Sequence, residues 1–165
     1  MTERRKFDLI RKIGDVEIRK YHQCAMATVL VNSDFERSGN IGFRPLVTYI
    51  SQNRIAMTAP VIQEQNTPNS WLVSFVMPSE MQLKDMPIPK NSQVQIREVA
   101  EEYMAVLPFL GLSSWRRVHA HSEELLSVLR REGIKTIGSV QIARFDPPWK
   151  PGFMRYNEVL VSIKH

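Results

Sequence analysis

Cysteine is almost missing from this sequence. Cys24 is the only one among 165 residues, so an intrachain disulfide and a cysteine zinc cluster are both excluded. Cys24 itself lies in an apolar strand pattern, where a thiol is more often a packing group than a reactive one.

Long apolar runs are missing as well. No stretch approaches the roughly 18 apolar residues of a membrane-spanning helix, and residues 1–6 are basic without the apolar core of a signal peptide. Hydrophobic residues make up 43% and charged residues 24% of the chain, which is ordinary for a globular protein. We therefore expect a cytoplasmic, single-domain protein that does not insert into membranes.

Common catalytic and nucleotide-binding signatures are absent too. The chain has neither a glycine-rich phosphate loop nor a Gly-x-Ser-x-Gly nucleophile elbow. His119 and His121 are two positions apart on a predicted helix, so they point to different faces and cannot chelate one ion. The net charge of +5 is concentrated near the amino terminus without interleaved aromatics, which argues against nucleic-acid binding. We expect a binding protein and not an enzyme.

Strand and helix patterns fill the first half of the chain. Alternation predicts a hairpin of strands over 16–21 and 24–31. Apolar spacing then predicts a helix that begins near Arg44 or kinks at Pro45, with this stripe: Phe43, Leu46, Val47, Ile50. An uncharged strand over 55–62 follows, placed at a sheet edge or ended there by Pro60. A further strand has one apolar face, formed by Trp71, Val73, Phe75 and Met77.

The same order of elements recurs after a proline-rich linker. Strands are predicted near 94–96 and 103–107, then a helix over 114–132 and extended segments at 136–145 and 159–163. Two copies of strand-strand-helix-strand-strand make eight strands and two helices. Such runs of hairpins with few helices favour an antiparallel α+β domain over a wound parallel sheet. Residues 1–14 form a basic terminal segment before a single domain over 15–165, whose halves are about 15–78 and 92–165.

Three segments carry a family resemblance. They are Val-Glu-Ile-Arg-Lys-Tyr at 16–21, Ile-Ala-Met-Thr-Ala-Pro-Val at 55–61 and Phe-Asp-Pro-Pro-Trp-Lys-Pro at 145–151. Together and in this order they resemble the SOUL haem-binding protein family. The resemblance implies a distorted eight-stranded antiparallel β-barrel with two helices, a pseudo-twofold duplication similar to effector-binding domains.

The resemblance also implies a ligand and a site. It implies non-covalent binding of haem or a related porphyrin in a hydrophobic groove, for cytosolic haem buffering or transport. Some family members carry a histidine just before the tyrosine of the opening strand, where this chain has Lys20, and His22 follows two residues later. His22 is therefore the candidate iron ligand. The full set of candidate haem-binding residues is Lys20, His22, Phe43, Arg44, Leu46, Val47 and Met57, with Arg44 and Lys20 facing the propionates.

Two other functions remain open from the sequence. The helix over 114–132 could present its apolar stripe to a protein partner, although packing against the protein's own sheet explains the stripe as well. The same fold could instead bind a small effector other than a tetrapyrrole, which a pocket too small for a macrocycle would favour.

Overall fold

Strands dominate the computed structural model, which describes residues 2–147 and 149–165. Within these residues the chain forms eleven strands and two α-helices, so the predicted α+β class with two helices is confirmed. In chain order the elements are β1 (Glu3–Arg4), β2 (Phe7–Ile13), β3 (Val16–Tyr21), β4 (Cys24–Val31), α1 (Phe35–Gln52), β5 (Thr58–Ala59), β6 (Val61–Thr67), β7 (Ser70–Val76), β8 (Gln95–Val99), β9 (Glu102–Leu110), α2 (Trp115–Arg131), β10 (Thr136–Arg144) and β11 (Tyr156–Ile163).

Two compact units divide the chain, and each takes residues from separate parts of the sequence. The first contains residues 2–6 and His22–Glu101, and the second contains Phe7–Tyr21 and Glu102–His165. This division differs from the predicted halves at 15–78 and 92–165. The predicted terminal segment 1–14 is also not an appendage, because residues 7–13 form β2 and pair antiparallel with β3.

In the first unit, a helix covers an antiparallel sheet with strand order β6-β7-β4-β8. α1 packs on β7 and β4, and their buried side chains form one apolar core that includes Leu46, Val73 and Phe75. The short strands β1 and β5 pair in parallel beside this sheet. Because one side of α1 packs on this sheet, the opposite side of the helix points away from it.

α1 begins nine residues before the predicted start at Arg44, and it runs through Pro45. Asp34 caps it, since its side chain accepts a hydrogen bond of 2.8 Å from the Arg37 backbone N–H. After the buried Phe35, the first turns bury only small residues such as Ser38 and Gly42. The hydrophobic spacing is therefore visible in the sequence only from Phe43 onward.

The predicted strand over 55–62 is wrong in its first part. Ile55 to Met57 are irregular, β5 covers only Thr58 and Ala59, and β6 begins after the cis peptide bond at Pro60. The Thr58 hydroxyl donates a hydrogen bond to the Val76 carbonyl, which holds this segment on β7. Ile55 is consequently buried while Met57 is partly exposed, so the two do not share a strand face.

The second unit is an antiparallel sheet with strand order β2-β3-β9-β11-β10. α2 begins at the predicted cap, Ser114, and buries Val118, Leu125 and Leu129 where it packs on β9 and β11. The main apolar stripe of α2 is thus occupied by the protein's own sheet. Across residues 2–147 and 149–165, no helix is both long and apolar enough to cross a bilayer.

Strand pairing corrects the predicted hairpin of residues 16–21 and 24–31. β3 pairs with β2 and β9 in the second unit, whereas β4 pairs with β7 and β8 in the first. The leading strand of each predicted half therefore belongs to the sheet of the other half. Alternation fixes where a strand lies but not which strand it pairs with, which is why the sequence suggested the nearest neighbour.

Gly42 should be intolerant of a side chain. A Cβ built on Gly42 would lie 2.7 Å from the Cβ of Val73, so α1 or β7 would have to shift. We expect Gly42→Ala to lower the free energy of unfolding by about 1–3 kcal/mol, although alanine is the better helix former. Urea denaturation measures this.

The matched control is Thr48→Ala, at an exposed position of the same helix. Its free energy of unfolding should stay within about 0.5 kcal/mol of the parent. A Gly42→Ala protein as stable as the parent would show that this close approach does not constrain the helix.

Candidate functional site

The outer flank of α1 carries three of the predicted site residues. Phe43 and Val47 are half-buried and pack against the core of the first unit. The Phe43 ring meets the edge of Phe75 at 5.3 Å between centroids, with an interplanar angle of 88°. Arg44 is exposed and lies one helical turn before Val47, so their side chains are neighbours on the helix surface. We call Phe43, Arg44 and Val47 the helix face.

Leu46 does not belong to this face. It has no exposed surface and sits between α1 and the sheet. The prediction that Leu46 contacts a ligand is therefore corrected: the same apolar stripe that suggested it is the side that packs inward. Its part is to hold the helix against β7.

His22 lies in a hollow of about 280 Å³ in the first unit. Its backbone N–H donates to the Lys6 carbonyl over 3.1 Å, and Arg5, Lys6, Cys24 and Met77 also line the hollow. The hollow thus joins an imidazole and a thiol with two basic residues, two acidic residues and the apolar Val76 and Met77. We call it the His22 hollow.

Met57 lines a second hollow of about 370 Å³, also in the first unit. Glu3 and Glu80 form part of the wall of both hollows, so the structure places His22 and Met57 on adjacent depressions. Glu3 is fixed there because its Oε2 accepts a 2.8 Å hydrogen bond from the Ser79 backbone. Each hollow lies near the lower end of the roughly 300–1,000 Å³ range of ligand pockets.

Lys20 belongs to the second unit. β3 ends at Tyr21, so Lys20 and His22 do not extend one strand face as predicted. The Lys20 ammonium lies 5.7 Å from the centre of the Tyr103 ring, and that ring stacks on His165 at 3.7 Å. The structure therefore gives Lys20 an aromatic environment of its own.

Across residues 2–147 and 149–165, no group of three or more His, Cys, Asp or Glu side chains could hold a metal ion. His119 lies 5.6 Å from Trp115, between ring centroids, while His121 stacks on Phe109 at 4.2 Å. Burial lowers the pKa of His121. The two histidines have separate surroundings, as their spacing predicted.

A buried ionic network in the second unit escaped the sequence reasoning. Arg19 donates hydrogen bonds to Glu158 at 3.0 Å and to the Tyr21 hydroxyl at 2.8 Å. The Tyr156 hydroxyl donates to the same Glu158 oxygen over 2.6 Å. Arg19 and Glu158 are both almost completely buried. Alternation in 16–21 does place Glu17, Arg19 and Tyr21 on one strand face, but nothing in the sequence pairs that face with β11.

The electrostatics of this network favour a charged Arg19. Burial by itself lowers the pKa of the Arg19 guanidinium, but Tyr21 and the neighbouring carboxylates outweigh burial and raise this pKa above its usual value. Burial raises the pKa of the Tyr156 phenol, and its hydrogen bond to Glu158 raises it further. The network therefore holds a charged arginine and a neutral phenol against one carboxylate.

Nearly the whole described chain matches one family. The family model of the SOUL heme-binding protein matches residues 2–162. The chain belongs to the SOUL heme-binding protein family. Mouse Heme-binding protein 2 is similar to this SOUL chain, with 31% identity over 138 residues that cover 76% of this chain and 67% of the mouse protein. The match confirms the resemblance seen in the sequence.

Solved structures similar to this SOUL chain agree on the fold. The EcmrR C-terminal domain has a TM-score of 0.64 at 11% identity. This match covers 90% of this chain and 96% of the EcmrR domain. A structure described as a hydrolase from Listeria innocua has a TM-score of 0.62 at 12% identity. This match covers 91% of this chain and 92% of the Listeria chain. At such identities the likeness shows the fold alone, so it assigns neither binding nor hydrolysis to the SOUL chain.

Removing only one member of the buried Arg19–Glu158 pair should destabilise the protein. Arg19→Met leaves Glu158 as an uncompensated buried carboxylate, and we expect the free energy of unfolding to fall by about 3–5 kcal/mol. Arg19→Met combined with Glu158→Gln should recover most of that loss, because no buried charge remains. Chemical denaturation of both variants checks this, with the partly exposed Lys20→Met as a control. A double variant no more stable than the single one would contradict the assignment.

Proposed function

We propose that this chain binds haem or a related tetrapyrrole non-covalently, and that it holds or carries the ligand in the cytoplasm. The observation that carries the proposal is the family match over residues 2–162. The likeness to a protein named Heme-binding protein 2 supports it. The proposal is for binding and not for catalysis.

The helix face supplies groups that suit a flat amphipathic ligand. Phe43 and Val47 keep part of their apolar surface outside the core, against which a macrocycle can lie. Arg44 stands at the edge of that surface, where a guanidinium can pair with a propionate carboxylate. The helix face is open, so a bound ligand would keep one edge in solvent.

His22 is the proposed iron ligand, and Met57 is the second group of the first unit that could contact the ligand. Haem iron, when bound, accepts an axial imidazole or thioether. His22 is exposed and therefore accessible, and the same hollow has both cationic and acidic residues in its wall. Lys20 is left out of this arrangement, since its ammonium lies over Tyr103 in the second unit.

A smaller effector is the second candidate ligand. The hollows beside His22 and Met57 have volumes of about 280 and 370 Å³, small by comparison with most ligand pockets. A compact ligand with charges of both signs and an apolar part would suit the His22 hollow, which two basic residues, two acidic residues and Met77 line.

Haemin titration followed by the Soret band tests the proposal. We expect saturable binding by the parent protein and an affinity lower by about tenfold in Arg44→Ala, the worth of one charged hydrogen bond. His22→Ala should change the position of the Soret band. Metal-free protoporphyrin IX should bind the His22→Ala protein as well as the parent, because no iron ligand is involved, yet bind Arg44→Ala more weakly.

The controls are Arg37→Ala, an exposed arginine on the same helix, and His119→Ala, an exposed histidine in the second unit. Both should bind haemin like the parent protein. Absence of saturable binding sinks the proposed function. Saturable binding that is unchanged in both Arg44→Ala and His22→Ala would support the function and reject the site.

A further inference from the structure

In the second unit, the loop residues 149–154 expose large apolar side chains. Trp149 is 83% exposed, Phe153 is 76% exposed and Met154 is about half exposed. Leu112 lies under the same loop, because a Cβ built on Gly152 would come within 2.5 Å of its side chain. We call Leu112, Trp149, Phe153 and Met154 the apolar tip. Large apolar side chains exposed together on one short segment mark a surface that binds a membrane, a protein or a ligand.

Hydrogen bonds hold the residues on either side of Trp149 and Phe153. Arg155 Nε donates to the Lys150 carbonyl over 2.9 Å, and its backbone carbonyl accepts from Gly111 over 2.9 Å. Asp146 accepts from the Tyr156 backbone and from Lys150 Nζ, the latter at 3.1 Å. Trp149 and Phe153 therefore lie close to anchored residues, which reduces the entropy lost when they are buried.

The segments that carry and flank the apolar tip, which we call its base, are rich in basic residues. Residues 110–117 and 144–155 contain five basic side chains, and Asp146 is their one carboxylate. That carboxylate is already bound to Lys150. Arg117 is exposed and lies against the strand end, where its guanidinium donates to the Leu110 and Leu112 carbonyls at 2.9 and 2.8 Å. Arg116 is exposed beside it.

We propose that the apolar tip and its basic base form a docking surface for an anionic lipid membrane. Tryptophan and phenylalanine side chains at a loop tip can enter the boundary between headgroups and acyl chains, where tryptophan is favoured. The exposed Arg116 and Arg117 then meet the lipid phosphates, and each cation near an anionic leaflet adds to binding. The chain docks on one leaflet and does not span the bilayer.

Co-sedimentation with vesicles tests the docking surface, using the full chain without haem. The protein should sediment with vesicles of equal parts phosphatidylserine and phosphatidylcholine, and poorly with phosphatidylcholine alone or at raised salt. Trp149→Ala with Phe153→Ala should weaken binding by at least about tenfold, and Arg116→Glu by about tenfold. Trp149 fluorescence should shift to the blue on binding.

Two matched controls come from the first unit. Ile88 is 88% exposed and stands alone, and Lys90 is exposed near it, so Ile88→Ala and Lys90→Glu should sediment like the parent. Failure to bind phosphatidylserine vesicles, or equal binding by the double variant and the Ile88→Ala control, overturns the proposal. A dimer in sedimentation velocity that Trp149→Ala abolishes, without vesicle binding, would assign the tip to a second copy of the chain instead.

Discussion

The close contact between Gly42 and Val73 determines which side of α1 reaches solvent. Because a Cβ at Gly42 would overlap Val73, the helix can approach β7 only with its small residues facing the sheet. That rotation places Leu46 inside, Phe43 and Val47 on the flank, and Arg44 outside. The proposed tetrapyrrole surface therefore depends on the absence of a single methyl group, although Gly42 itself would touch no ligand.

Much of the secondary structure could be predicted from the sequence, because it rests on local rules. β3 and β4 begin and end at the predicted residues, and α2 begins after the predicted Ser114 cap. The errors arise where local pattern and tertiary context diverge. β2 exposes apolar and charged residues on both faces, so it lacks the alternation of a half-buried strand, and its assignment depends on pairing with β3. The exchange of leading strands between the two units is likewise a long-range choice that no short window encodes.

The candidate site could be predicted only in part. Phe43, Arg44 and Val47 follow from the 3.6-residue period, which fixes neighbours along one helix. The same period could not say that Leu46 lies on the packed side, because inward and flanking apolar residues look alike in sequence. The His22 hollow combines side chains from segments far apart in the chain, so Arg5 and Lys6 appeared only as a basic terminus. Arg19 and Glu158 were missed for the same reason, since their pairing spans 139 positions.

The interleaved chain order of the two units bears on how this protein is made. The β2–β3 hairpin leaves the ribosome before the 80 residues from His22 to Glu101, yet its partner β9 comes after them. At roughly 5–20 residues per second, synthesis leaves the hairpin several seconds with the Tyr21 ring and the Arg19 guanidinium still without their final surroundings. By contrast, every residue of the first unit has been translated once Glu101 emerges. The amino-terminal hairpin is thus an early product of translation that must wait for the carboxy-terminal strands, a period in which a chaperone would have the most to shield.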